Sequence, residues 1–232
     1  MSDLTDTNYY PLDDIKREFL KYAPAYAQEE ARLAIEKIYD LQRQGVIRNG
    51  LYYVVLMDLV GSTKFAVEHG NKEAIDRIQF FIRNSFQALN DANVSNVSLF
   101  VKEIGDAVLY VFQHFPDIIR WRSAFNFYLG PKWKHPMQVR TCIHIGEVSL
   151  TGVNPLSLAV SQTFKMEKTV EAGAIVLTEP AYNVAWPTIA RAYHGFEDYG
   201  AVELDGYPEP VRLHRLTIND DDDLARILQE AL

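Results

Sequence analysis

The chain has 232 residues, 48% of them hydrophobic and 23% charged, the balance of one substantial globular domain with accessory segments. Its 31 acidic against 23 basic residues give a net charge of -8, which argues against a broad nucleic-acid or anionic-membrane surface and is compatible with a small, metal-complexed polyphosphate. No apolar run approaches the roughly 18 residues that span a bilayer, the start MSDLTDTNYYPLDD is acidic, and the single cysteine, Cys142 in VRTCIHIG, reads as a buried strand residue, so a cytoplasmic protein without redox chemistry is expected.

In chain order, residues 14 to 45 carry helical spacing with a break at Pro24, and 1–49 is read as an N-terminal helical segment. LYYVVLMDL, residues 51 to 59, is rich enough in β-branched and aromatic residues for a strand buried on both faces, and Gly61 then turns the chain. A helix is expected over 63 to 93, and two strands joined at Gly105-Asp106 over 97 to 112. A helix from about 116 to 129, a strand at 137 to 145, a helix at about 156 to 171 and a strand at 173 to 178 follow. A last hairpin is read in FEDYGAVELDGYPEPVRLHRL and a short C-terminal helix over 219–232. The order is that of an α+β, ferredoxin-like (βαββαβ) domain over 50–218 with an extra helix and hairpin, helices on one sheet face and the other face free.

Two aspartates stand where an ionised group is costly: Asp58 at the end of the apolar strand and Asp106 at the hairpin tip. Either alone reads as a turn or capping residue. If strand 51 to 59 pairs beside strand 98 to 104, the two emerge at neighbouring strand ends and can share divalent metals. The following Gly61, Ser62 and Thr63 open a helix and offer N–H groups and hydroxyls to an anion; Ser62 or Thr63 as a plain N-cap is the other reading.

VVLMDLVGSTKF, KEIGDAVLYVF and VRTCIHIGEV together resemble the metal motifs and following strand of the class III nucleotidyl cyclases, and SLAVSQTFKMEKTVEAGAIVLTE and ELDGYPEPVRLHRL are similar in layout to that family's later helix, strand and terminal hairpin. The resemblance implies a homodimer with composite sites and two divalent metal ions, Mn²⁺ or Mg²⁺, held by Asp58, Asp106 and the Leu59 carbonyl. It gives Arg140 to a phosphate, and places Ser161 and Lys165 where the family has an asparagine for the ribose and an arginine for transition-state charge. Asp205 falls where the family has a phosphate-binding lysine.

Lys102 and Asn154 fall at the base-reading positions, which in adenylate enzymes are a lysine and an aspartate. An amide can donate where a carboxylate only accepts, which suits a base with a carbonyl in place of adenine's amine. Tyr52, on the same strand face as Asp58 by period two, reaches the shared cleft or serves core or dimer packing. The pattern resembles the pyrimidine cyclases of Pycsar antiphage systems, particularly the uridylate cyclases. It implies conversion of UTP to cUMP, a signal for a separate effector protein. An adenylate cyclase, a degenerate nucleotide-binding domain and a polymerase-like palm are the alternatives.

Overall fold

A computed structural model describes residues 50–94, 101–129, 137–151, 154–189 and 195–218. The expected helices over 14–45 and 219–232 lie outside the described residues. Among the described residues, strands are β1 (Gly50–Leu59), β2 (Val101–Ile104), β3 (Ala107–Phe112), β4 (Val139–Thr151), β5 (Asn154–Leu156), β6 (Ile175–Thr178), β7 (Phe196–Val202) and β8 (Val211–Leu216). Helices are α1 (Ser62–His69), α2 (Asn71–Asp91), α3 (Phe115–Leu129), α4 (Leu158–Glu167) and α5 (Glu179–Ile189). None of these helices is long and apolar enough to cross a membrane.

The sheet order is β2-β3-β1-β4-β6-β8-β7, with β5 folded back on the far end of β4. β1 lies between β3 and β4, antiparallel to both, and its residues from Tyr52 to Met57 are all buried, which is why its apolar run is continuous. Its odd residues Tyr53, Val55, Met57 and Leu59 join a core built with Phe81 and Ala88 of α2, Ile118, Trp121 and Phe125 of α3, and Ala181 and Ala185 of α5. Its even residues Tyr52, Val54 and Leu56 join a second core with Leu109, Cys142, Val176, and Ala159 and Met166 of α4.

Three expectations are corrected here. β1 pairs with β3 rather than with the strand before the Gly105-Asp106 turn, because the hairpin places its second strand inside and β2 at the edge. The second sheet face is not free, since α4 covers it: a Cβ at Gly146 would stand 2.7 Å from the Ala159 Cβ, so helix and strand meet at backbone distance. The single helix over 63–93 is two helices broken at Gly70, whose φ of +90° no helix interior accepts. The β5 turn and α5 were not foreseen; α5 carries Pro187 inside it, which masks the helical pattern in the sequence.

Candidate active site

Asp58 is the last even residue of β1, so it faces the α4 side at the point where the apolar strand runs out. Its register partner on β4 is Arg140, and directly opposed residues of an antiparallel pair bring their side chains together. Arg140 Nε lies 3.0 Å from Asp58 Oδ2. Asp106 sits beside the same strand end, because the Leu59 N–H donates to the Asp106 carbonyl at 3.0 Å and Asp58 pairs with Ala107. The turn that presents Asp106 has Gly105 at φ +63° and Asp106 without a positive φ, the pattern of a type II′ hairpin turn.

Glu167, the last residue of α4, closes this group and was not singled out from the sequence. Arg140 Nη1 lies 3.0 Å from Glu167 Oε1 and donates to the carbonyls of Glu167 and Val170 at 3.1 and 3.4 Å, so the guanidinium also caps the C-terminal end of α4. Burial raises the Asp58 pKa to about 6, helped by the charges of Glu167 and then Asp106; Arg140 opposes this and does not offset it. Three carboxylates around one guanidinium leave a local excess of negative charge. No spacing in the sequence announces Glu167, since its position depends on α4 crossing β4 from Gly146 to Arg140.

The turn into α1 is shaped differently from a plain cap. Gly61 is the N-cap in the left-handed region, at φ +76°, and no side chain caps the helix. Ser62 Oγ donates instead to the Leu59 carbonyl at 2.9 Å, which leaves that oxygen one further lone pair. The capping reading of Ser62 and Thr63 is thereby corrected, and the first N–H groups of α1, which a helix cannot pair within itself, lie beside the exposed Gly61 and Thr63.

The remaining expected residues lie elsewhere in the chain. Tyr52 is 7% exposed in the second core, six residues along β1 from Asp58, with its ring against Gly50. Its place is core packing within the chain, the plainer of its two readings. Ser161 is exposed on α4, and Lys165, one turn on, donates to the Asp205 carbonyl and lies 5.3 Å from the Tyr207 ring centroid. Lys102 stands opposite Leu109 in the β2–β3 pair, and Asn154 opposite Thr151 in the β4–β5 pair. Among the described residues neither Ser161 nor Lys165 contacts Asp58.

The donor set at Asp58 fits a hard divalent cation: two carboxylates and a main-chain carbonyl, with uncompensated negative charge. It is not a closed metal cage, since no group of three or more His, Cys, Asp or Glu among the described residues is arranged to hold an ion.

No family model and no curated protein matches the chain. Solved structures do. The adenylyl cyclase CyaB from P. aeruginosa superposes with a TM-score of 0.58 at 15% identity, over 76% of this chain and 99% of that one. The adenylate/guanylate cyclase/hydrolase from Silicibacter pomeroyi gives 0.61 at 20% identity, over 74% and 98%. The guanylate cyclase domain of RhGC from Catenaria anguillulae, in complex with GTP, gives 0.59 at 16% identity, over 73% and 97%. At these identities the likeness shows the fold, and the fold is that of a class III cyclase catalytic domain.

Proposed function

We propose that the chain is a metal-dependent nucleotide cyclase that converts UTP to 3′,5′-cyclic UMP and pyrophosphate. The observation that carries this is the juxtaposition of Asp58 and Asp106 at the ends of β1 and the β2–β3 turn, beside the N-terminus of α1, in a cyclase fold. Asp58, Asp106 and the Leu59 carbonyl would hold two Mn²⁺ or Mg²⁺ ions. Such ions supply a ribose 3′-hydroxyl of lowered pKa and neutralise charge on the phosphates.

The chain's own residues then have stated tasks. The N–H groups after Gly61 receive phosphate oxygens, and their direction along α1 favours negative charge. Arg140, between Asp58 and Glu167, is the guanidinium beside this group that would meet a phosphate oxygen. Lys165 is engaged with the Asp205 carbonyl and the Tyr207 ring of its own chain, and in the composite reading a second copy brings Lys165 and Ser161 to the triphosphate and ribose. Lys102 and Asn154 read the base; the amide is the reason for preferring uracil. The cyclic product is a signal for a separate effector protein.

The engagement of Lys165 with Asp205, and of Arg140 with two carboxylates, favours as a second reading a domain that binds nucleotide without turnover. Incubation of the protein with Mn²⁺ and each of the four nucleoside triphosphates separates the two. The proposal expects a cyclic product from UTP, lost in Asp106→Ala; a product from ATP alone overturns the base assignment, and binding with no product supports the second reading.

A further inference from the structure

Arg140 is held from two sides. One side is Asp58; the other is Glu167 with the Glu167 and Val170 carbonyls, all from the end of α4. The second set stays in place whatever occupies Asp58, because it belongs to the helix terminus. The three side chains are largely shielded, at 21% exposure for Arg140, 13% for Asp58 and 24% for Glu167, so their charges act on one another with little screening. A divalent cation arriving at Asp58 therefore meets a guanidinium already paired with its ligand.

We infer that Glu167 is a positioning residue for metal binding: it supplies Arg140 with a second counter-anion, so that Asp58 can exchange the guanidinium for a divalent cation without leaving a partly buried cation unpaired. Arg140 is drawn onto α4 as the cation binds, and the C-cap contacts fix where it goes. Without the Glu167 charge, Arg140 has Asp58 as its remaining carboxylate partner, and metal and arginine compete for the same oxygens. The inference rests on the reading of Asp58 as a metal ligand.

Calorimetric titration of Mn²⁺ into metal-stripped full-length protein, without nucleotide, tests it. Glu167→Gln should weaken Mn²⁺ binding by about 10- to 100-fold, the usual effect of removing a group that positions a ligand, while Glu167→Asp keeps the charge and stays close to wild type. Arg140→Gln should tighten binding, and adding Glu167→Gln to it should cost little more, because the carboxylate acts through Arg140. Wild-type affinity in Glu167→Gln, or an equal loss in both backgrounds, would overturn the inference. Should Glu167→Gln alone fail to fold, Glu167→Ala replaces it in both backgrounds and is read by the same criterion. Failure of the underlying reading looks different: the wild type takes no Mn²⁺, or Asp58→Asn takes it as tightly as wild type, and the inference falls with it.

Discussion

Replacing Asp58 by Asn should make the metal-stripped protein more stable and inactive at once. The Asp58 pKa rises from 3.8 to about 6 because burial and the Glu167 and Asp106 carboxylates outweigh the attraction of Arg140. At about 1.4 kcal/mol per pKa, the ionised carboxylate costs the fold on the order of 3 kcal/mol. With the folded pKa above the unfolded one, that cost is absent below the unfolded value of 3.8, grows as pH rises through the interval, and is complete above about 6. The amide has nearly the same shape and no charge. In the presence of a chelator, Asp58→Asn should therefore melt higher than wild type at neutral pH, by about 2–4 °C for each kcal/mol recovered in a chain of this size. Near pH 4 the two should melt together. Differential scanning calorimetry at both pH values reads the effect, and a lower melting temperature for the variant at neutral pH would refute the charge balance described for the site.

Other consequences can be measured separately. His144 is buried, its Nδ1 2.8 Å from Thr178 Oγ1, and burial lowers its pKa from 6.5 to about 4. The fold therefore holds it neutral. Its contribution is complete above 6.5 and is lost as pH falls toward 4, on the order of 3 kcal/mol in all. Urea titrations of the Asp58→Asn protein and of the same protein with His144→Gln should converge as pH falls from 7 toward 4; a constant gap would show that His144 does not titrate in this way. Gly146→Ala brings a methyl to 2.7 Å from the Ala159 Cβ, a contact that requires α4 to lift from β4. Overpacking of this kind costs about 1–3 kcal/mol, and an unchanged urea midpoint would mean the helix yields freely. Gly61→Val forces a β-branched residue to φ +76° at the start of α1. It should lower both the melting temperature and nucleotide affinity, and normal triphosphate binding in that variant would remove the α1 N-terminus from the site.

What the sequence disclosed follows from which forces act locally. The run from Leu51 to Leu59 and the turn at Gly105-Asp106 identify themselves, since burial on both faces and a two-residue hairpin leave direct marks on composition. Asp58 and Asp106 were legible for the same reason: a carboxylate among apolar neighbours contradicts its surroundings. The pairing partner of β1 was legible and went unread: β3, AVLYVF, is apolar throughout and buried, as an inner strand must be, whereas β2, VKEI, carries two charges and lies at the edge. Glu167 was not legible. Its meeting with Arg140 is set by the crossing of α4 over β4, which spacing along the chain does not encode. Tyr52 shows the same limit from the other side, as period two gave its face correctly and said nothing of the α4 helix that shares its core.

The most direct measurement is mass balance on UTP incubated with the purified chain and Mn²⁺. The account predicts one cyclic UMP and one pyrophosphate for each UTP consumed, resolved by liquid chromatography and mass spectrometry, and neither product with Asp58→Asn. Release of UDP or linear UMP in place of the cyclic nucleotide, or UTP recovered unchanged, would contradict it.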